Sequence, residues 1–438
     1  MTQHDKQILH IALPAIISNI TVPLLGMVDM AIVGHIGDAV YLGAIAVGSM
    51  LFNVVYWLFG FLRMGTGGLT SQAYGREDVK EERCILVRSL TIAMCVGLLF
   101  ILLQVPVRNL AFRLLGATPE VSALAMRYYA ICVWGAPAVL GLYSMTGWFL
   151  GMQNSRFPMF VSIVQNVVNI LCSLRFVFAL HLKIEGVAWG TLIAQYVGFL
   201  LSLLLFVRYY LGKLHADVVR VSEVFEWAAM KRFFVVNRDI FLRTLCLVAV
   251  TLYFTSVGAR QGDLLLAVNA LLMQLFTLYS YFMDGFAYAG EAVCGRYLGA
   301  RARTDFYTTI RRLFVWGGGL MFLFSVLYAV GGSFFVSLLT DDSAVQQEAT
   351  LYLPWVVFIP LTGMAAFLLD GVFIGATATR PMLLSMLVAT LLFFSVCYFL
   401  APFMDNHALW LAFLLYLSTR GAVLALYLPR LYTRQSEL

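Results

Sequence analysis

Twelve long apolar segments run through the sequence, and they restrict the possible fold more than any other feature. A helix needs about 20 apolar residues to cross the hydrocarbon core of a bilayer. The segments lie near residues 11–33, 40–68, 89–108, 124–150, 158–180, 187–210, 234–257, 264–292, 313–339, 350–374, 382–402 and 408–428. Only 12% of the residues are charged, whereas a soluble domain carries about 25%. We therefore predict an all-α polytopic membrane protein with twelve transmembrane helices.

The two halves of the chain repeat each other at a constant spacing of 224 positions. The recurring residues mark the ends of apolar segments, and they are Gly34 and Gly258, Gly75 and Gly299, Gly151 and Gly375, and Arg156 and Arg380. Six spans in each half give both copies the same orientation, so we predict two parallel six-helix repeats. The predicted lobes are residues 1–211 and 233–438, joined by a cytoplasmic linker at 212–232. Parallel repeats are a common architecture of secondary transporters, with the substrate path between the halves.

The distribution of lysine and arginine predicts the orientation of the chain in the membrane. With a cytoplasmic N-terminus, 20 of the 29 basic residues fall in inner loops and tails and only 5 in outer loops. Because basic loops stay on the cytoplasmic side, both termini are predicted to be cytoplasmic. The net charge of +6 then belongs to loops beside anionic lipid, and no nucleic-acid partner is expected. We expect a monomer in a bacterial-type cytoplasmic (inner) membrane.

Asp29 is the first candidate for a functional group, because a carboxyl inside an apolar span is energetically costly. It lies near the outer end of the first span, within TVPLLGMVDMAIVGHIG. Pro14 and Pro23 interrupt the same helix and are predicted to bend it, since proline cannot donate a backbone hydrogen bond. Asp29 could bind a proton or a cation beside this flexible helix. Alternatively, it is an interfacial residue that only caps the helix or reaches toward the outer surface.

The fifth span carries a polar face that could complete such a site. Its members are Ser162, Asn166, Asn169 and Ser173, at steps of 4, 3 and 4 residues. This spacing places all of them on one side of a helix. The face serves either a cation site or the packing of one helix against another.

The C-terminal half contains more intramembrane charge. A polar and aromatic face of the eighth span consists of Gln274, Thr277, Tyr281, Asp284, Tyr288 and Glu291. Asp370, Arg243 and Arg420 lie at comparable depth in other spans. Asp284 and Asp370 balance the two arginines, which is typical of an ion-pair network that holds helices together. The alternative is a second proton or cation site.

Five runs resemble those of the multidrug and toxic compound extrusion (MATE) transporters, and more narrowly their DinF branch. They are NITVPLLGMVDMAIVGHIG, LRMGTGGLTSQAYGRED, YFMDGFAYAGEAVCGRYLGAR, LLDGVFIGATATR and NHALWLAFLLYLSTRG. The resemblance covers both halves nearly end to end. It implies a V-shaped, two-lobed bundle of twelve helices with a central cavity. It also implies antiport, in which an amphipathic and often cationic compound leaves the cell as H⁺ or Na⁺ enters, without any other cofactor.

The same resemblance assigns roles to individual residues. Asp29 matches the acid that binds the coupling cation in the N-terminal lobe, and Asn169 matches an asparagine of that site. The family usually has an aspartate four residues after this asparagine, but here the position is Ser173, so a two-carboxylate proton relay is in doubt. Asp370 matches an acid that other MATE branches use in a C-terminal cation site. A Na⁺ ion could therefore bind at Asp29 or at Asp370, and we favour Asp29 as the main coupling group.

Other classes of membrane protein fit the sequence less well. A lipid-linked oligosaccharide flippase has a related architecture, but it generally has more spans and several arginines lining its cavity. A major-facilitator transporter usually has G-x-x-x-D-R-x-G-R after its second span, where this chain has AYGREDVKEER. We predict no enzyme activity, because the sequence lacks H-E-x-x-H, paired histidines and a serine nucleophile with a base. The sequence identifies neither the substrate nor the coupling ion.

Overall fold

The computed structural model describes residues 1–34, 39–115, 118–212 and 220–436. These residues form fifteen α-helices and no strand. The helices are α1 Gln3–Gly34, α2 Ala39–Leu58, α3 Phe61–Gly75, α4 Val79–Leu102, α5 Gln104–Leu115, α6 Pro119–Cys132, α7 Ala136–Gly151, α8 Arg156–Leu174, α9 Lys183–Phe206, α10 Val221–Val224, α11 Trp227–Gln261, α12 Asp263–Gly299, α13 Arg303–Leu339, α14 Ser343–Gly375 and α15 Thr379–Ser436.

The described helices account for the twelve predicted spans. Eleven helical stretches are long and apolar enough to cross a membrane. The last of them, Thr379–Tyr432, contains Asp405, whose backbone is not helical (φ 46°, ψ −126°). This residue divides α15 into two apolar segments, which correspond to the eleventh and twelfth predicted spans. The prediction of an all-α polytopic membrane protein is thus confirmed.

Two spans differ from the prediction in detail. The third, expected to continue to residue 108, ends at Leu102, and the separate helix α5 follows it. A segment that carries Gln104 and two arginines is too polar for the hydrocarbon core. The fourth span is interrupted between α6 and α7 by a 3₁₀ turn at Val133–Gly135. Pro137 follows this turn, and its missing N–H removes one helical hydrogen bond.

The backbone confirms the internal repeat. Non-glycine residues rarely adopt a positive φ, because their Cβ atom crowds the backbone there. In the described part of the chain seven such residues have one, and six of them form pairs that are 224 positions apart. The pairs are Glu77 and Arg301, Gln153 and Thr377, and His181 and Asp405. The same three turns therefore recur in both halves.

The helix packing repeats in the same way. A Cβ atom placed on Gly147 of α7 would lie 2.2 Å from the carbonyl oxygen of Arg63 in α3. Its counterpart on Gly371 of α14 would lie 2.0 Å from the carbonyl oxygen of Ala287 in α12. Both contacts are related by the spacing of 224 residues. Each repeat therefore packs two helices backbone against backbone, which is possible only without a side chain at that glycine.

Gly147→Ala and Gly371→Ala should each lower the thermal stability of the protein, because the added methyl group must push two helices apart. Overpacking of this kind costs roughly 1–3 kcal/mol. The matched control is Gly319→Ala in α13, where a new Cβ would meet no atom within 4 Å. Melting in detergent measures all three variants. Equal melting temperatures for the three would contradict the close helix packing.

The contacts within the chain define two compact units. The N-terminal unit comprises Ile17–Phe233, and the C-terminal unit comprises Met1–Ile16 with Phe234–Leu438. The helices α1 and α11 therefore each contribute residues to both units. The unit boundary in α1 lies between Pro14 and Pro23, and the helix runs without interruption through both prolines.

The second part of the predicted linker packs into the N-terminal unit. Residues 213–219 lie outside the described residues, but α10 and the start of α11 follow directly. The buried guanidinium of Arg88 in α4 donates from Nε to the carbonyl oxygen of Val224, at 2.9 Å. Val224 and Phe233 are themselves buried in this unit. Residues 220–233 thus belong to the N-terminal unit.

Candidate cation site

Asp29 lies in the last turns of α1, partly buried within the N-terminal unit. Its Oδ1 atom is inaccessible and accepts no hydrogen bond from any described residue. Ile32, one turn further along α1, packs in the same apolar cluster as Tyr128 and Cys132 of α6, so α6 lies beside the turn that carries Asp29. A buried carboxylate oxygen without a donor is unfavourable. A bound proton or a small cation would remove this penalty.

Two residues of α8 present further oxygens of the same kind. Asn169 and Ser173 are both fully buried. The Nδ2 atom of Asn169 donates to Oγ1 of Thr191 in α9, at 3.1 Å, but its Oδ1 atom has no hydrogen-bond partner among the described residues. The same holds for Oγ of Ser173. Amide and hydroxyl oxygens are suitable ligands for hard cations such as Na⁺.

Small residues of α9 make room for this arrangement. A Cβ atom on Gly190 would lie only 2.4 Å from Oγ of Ser173. The neighbouring Thr191 bonds to Asn169, as described, and its side chain also lies beside Tyr128. Thr191 thus lies between Asn169 and Tyr128, whose helix α6 lies beside the turn of α1 that carries Asp29. Four helices, α1, α6, α8 and α9, contribute to this part of the unit.

Asn166 contacts a different neighbour from Asn169. Its Nδ2 atom donates to the carbonyl oxygen of Thr21 in α1, at 2.9 Å. The hydroxyl of Thr21 lies 3.1 Å from that of Ser162, the first member of the predicted polar face. Asn169 and Ser173, the outer members of this face, therefore contact α9. Ser162 and Asn166 contact α1 near Pro23. Asn166 can position the helix that carries Asp29, but its amide nitrogen already donates a hydrogen bond to the backbone of α1.

Tyr128, Cys132 and Thr191 were not predicted from the sequence. Tyr128 and Cys132 lie in α6, and Thr191 lies in α9. Side chains of these types are common in packed helices, so the sequence does not distinguish them from packing residues. Only the packing of α6 and α9 against α1 and α8 brings them to the site.

The structure brings together three charged residues of the C-terminal unit. Oδ2 of Asp370 in α14 accepts hydrogen bonds from Nη2 of Arg243 in α11 and from Nη2 of Arg420 in α15. All three side chains are buried. Asp284 of α12 acts electrostatically on Arg420, so the local charge is balanced. Glu291 is fully buried in the same helix, where α12 packs closely against α14 at Gly375.

The described residues contain no group of three or more His, Cys, Asp or Glu side chains that could hold a metal ion together. Asp29 is the only acid that the described residues contribute to the candidate site, and Asn169 and Ser173 of the same unit offer neutral oxygens. Such a site suits a proton or a monovalent cation better than a divalent ion, which usually binds several carboxylates.

A family model with the description MatE matches the chain twice, at residues 14–174 and 240–399. The chain belongs to the MatE family. Each match falls in one half of the sequence, in agreement with the internal repeat. Members of this family are membrane transporters, so this transporter is a multi-pass membrane protein and not an enzyme.

Known relatives agree with this assignment. The transporter is 41% identical to DNA damage-inducible protein F (DinF) of Escherichia coli over 425 residues, which cover 97% of this chain and 92% of that protein. It is 21% identical to the multidrug export protein MepA of Staphylococcus aureus over 84% of this chain and 79% of the relative. A crystal structure of a MATE protein in the bent conformation matches with a TM-score of 0.89 at 17% identity, covering 100% and 98% of the two chains. The predicted resemblance to MATE transporters of the DinF branch is confirmed.

Proposed function

We propose that this transporter exports amphipathic, often cationic small molecules from the cytoplasm in exchange for H⁺ or Na⁺, by alternating access. Family membership and the multidrug export function in the name of the relative MepA support this substrate class. The distribution of basic residues supports a cytoplasmic membrane location with both termini inside. We propose Asp29 as the main coupling carboxylate, and a monomer as the working unit.

The observation that carries the proposal is the set of buried oxygens without hydrogen-bond donors in the N-terminal unit. They are Oδ1 of Asp29, Oδ1 of Asn169 and Oγ of Ser173. A coupling group must bind and release a cation in every cycle, which requires a carboxylate that is not already paired with a protein cation. A proton would neutralise Asp29 alone, whereas Na⁺ could also coordinate the neutral oxygens.

Asp370 is less suited to coupling. Two arginines already donate to the same carboxylate oxygen. A cation that bound there would have to displace a guanidinium and leave it buried and unpaired, which is strongly unfavourable. We therefore propose that Asp370, Arg243 and Arg420, with Asp284 beside them, stabilise the C-terminal unit.

Transport by purified protein in liposomes tests the proposed function. Ethidium, a fluorescent monovalent amphipathic cation, serves as the probe, and the pH gradient and the Na⁺ gradient are imposed separately. We expect one of the two gradients to drive ethidium across the membrane faster than in protein-free liposomes. If neither gradient accelerates ethidium movement, exchange of a cationic compound for H⁺ or Na⁺ is wrong.

A further inference from the structure

Arg303 lies at the start of α13, beside a cluster of aromatic side chains in the C-terminal unit. Its guanidinium carbon is 6.0 Å from the centre of the Tyr307 ring and 5.9 Å from that of the Tyr432 ring. Tyr307 is one turn further along α13, and Tyr432 belongs to the last turns of α15. The positive charge therefore lies over two rings from two different helices, an arrangement that stabilises a cation.

The two tyrosine rings are themselves held by packing contacts. Phe306 is fully buried, and its ring centre lies 5.3 Å from that of Tyr307 and 5.7 Å from that of Tyr432. The hydroxyl of Tyr307 also donates to the carbonyl oxygen of Pro429 in α15, at 3.4 Å. The rings beneath Arg303 are thus part of the packing that joins the start of α13 to the end of α15.

The hydrogen-bond donors of Arg303 are not used within the described part of the chain. Aromatic rings cover the faces of a guanidinium, whereas its N–H groups point outward in the plane of the group. The side chain is exposed, and no described residue accepts a hydrogen bond from it or forms an ion pair with it. The acid two residues further on, Asp305, pairs instead with His4, at 3.3 Å. These donors are therefore open to an acceptor from outside the chain.

The position of this group along the helices matches the inner surface of the membrane in the predicted orientation. Tyr432 follows the end of the twelfth predicted span, at residue 428, by four residues, or about 6 Å of helix. The headgroup layer on each side of a bilayer is about 5–8 Å thick. Large apolar side chains are exposed further along the same two helices, among them Val315 and Phe322 of α13 and Leu426 of α15. Arg303 therefore lies at the edge of a surface that faces lipid.

We propose that Arg303, on the rings of Tyr307 and Tyr432, binds the phosphate group of an anionic lipid of the inner leaflet, such as phosphatidylglycerol. A phosphate diester carries a negative charge and acceptor oxygens that suit the planar donors of an arginine. Basic groups between helix ends on the cytoplasmic side are typical sites for anionic headgroups. A zwitterionic lipid carries its own ammonium group and should bind more weakly. This site is separate from Asp29, and it does not depend on exchange of H⁺ or Na⁺.

The N-terminal repeat does not contain the same arrangement. Under the spacing of 224 residues, Val79, Arg83 and Arg208 stand where the C-terminal half has Arg303, Tyr307 and Tyr432. Neither tyrosine has an aromatic counterpart, and the arginine that lies over the two rings is replaced by valine. We therefore expect this lipid site only in the C-terminal unit.

Native mass spectrometry of the purified protein in detergent tests the site, with phosphatidylglycerol as the titrated probe. Arg303→Gln should weaken the tightest binding of this lipid about fivefold, the contribution of one basic residue at an anionic surface. Arg303→Lys keeps the charge but loses the planar donors, so it should weaken binding less. Arg260→Gln removes an exposed arginine at the other end of the membrane span, in the last turn of α11, and should bind like wild type.

Phosphatidylcholine and inorganic phosphate distinguish the possible ligands. We expect phosphatidylcholine to bind the wild type more weakly than phosphatidylglycerol does, and inorganic phosphate at the same concentration to displace neither lipid. Equal affinity of wild type and Arg303→Gln for phosphatidylglycerol, equal affinity of the wild type for both lipids, or displacement by inorganic phosphate would each overturn the proposal. Melting in detergent without added lipid shows whether each variant is folded. If Arg303→Gln is not, Tyr432→Leu removes one of the two rings and should also weaken phosphatidylglycerol binding, and unchanged binding would count against the site.

Discussion

Replacing Asp29 by asparagine is expected to reduce gradient-driven efflux to the level of protein-free liposomes, while the protein still folds and inserts. The amide has the shape of the carboxylate but carries no charge. It cannot bind a proton near neutral pH, and it attracts a cation much less strongly. Its Nδ2 atom can also donate to neighbouring oxygens that now lack a partner, so the loss should concern transport and not stability. Efflux of ethidium and melting in detergent measure the two effects separately.

Glu185→Gln is the matched control for this change. It also removes one negative charge from the outer part of the N-terminal unit, but from an exposed side chain that pairs only loosely with Arg127, at 3.6 Å. It should transport like wild type. Efflux by Asp29→Asn at the wild-type rate under an imposed gradient would show that the coupling group lies elsewhere.

Arg420→Ala is expected to cause the largest loss of stability among single substitutions in the C-terminal unit. Removing one charge of a buried ionic network costs on the order of 3–5 kcal/mol. Without Arg420, Arg243 alone cannot compensate the negative charges of both Asp370 and Asp284. Here the change also removes the packing of the guanidinium over the ring of Tyr416, whose centroid lies 5.4 Å away. Thermal melting in detergent measures the effect. Arg311→Ala, at an exposed position of α13, is the control and should change stability by less than about 0.5 kcal/mol.

A double variant distinguishes the ion pair from simple loss of packing. Asp370→Asn combined with Arg420→Gln replaces both charged side chains by neutral amides; the asparagine has the size of the aspartate, whereas the glutamine is shorter than the arginine. This variant should recover part of the stability that Arg420→Ala loses, because the two charges that remain, those of Arg243 and Asp284, balance each other. A melting temperature no higher than that of Arg420→Ala would reject direct pairing of Asp370 and Arg420.

Much of the fold could be predicted from the sequence, because a bilayer imposes a simple rule on apolar segments. The twelve spans and the spacing of 224 residues follow from composition and from glycines at segment ends. The break before α5 and the 3₁₀ turn before Pro137 were missed, since apolar content alone hides local interruptions. The contacts of Gly147 and Gly371 with facing backbones could not be predicted either, because they depend on how the helices pack in three dimensions.

The candidate site could be predicted only in part. Asp29, Asn169 and Ser173 stand out because polar groups inside apolar spans are costly and therefore rare. Helical spacing could not separate Asn166 from Asn169, because a stripe on one helix can contact two neighbouring helices. Likewise, the sequence predicted that Asp370 lies at a similar depth in the membrane to Arg243 and Arg420. Only the structure shows that one carboxylate oxygen accepts hydrogen bonds from both arginines.

Ion entry during ethidium efflux from liposomes tests exchange at Asp29 most directly. Liposomes are loaded with ethidium without any initial gradient of H⁺ or Na⁺, and the ethidium outside is then removed. As ethidium leaves, H⁺ or Na⁺ should enter, seen as acidification of the interior by a trapped pH dye or as uptake of radioactive sodium. The ion entry should be absent in Asp29→Asn. Protein-dependent ethidium movement without entry of either ion, or undiminished ion entry in Asp29→Asn, would contradict exchange at this carboxylate.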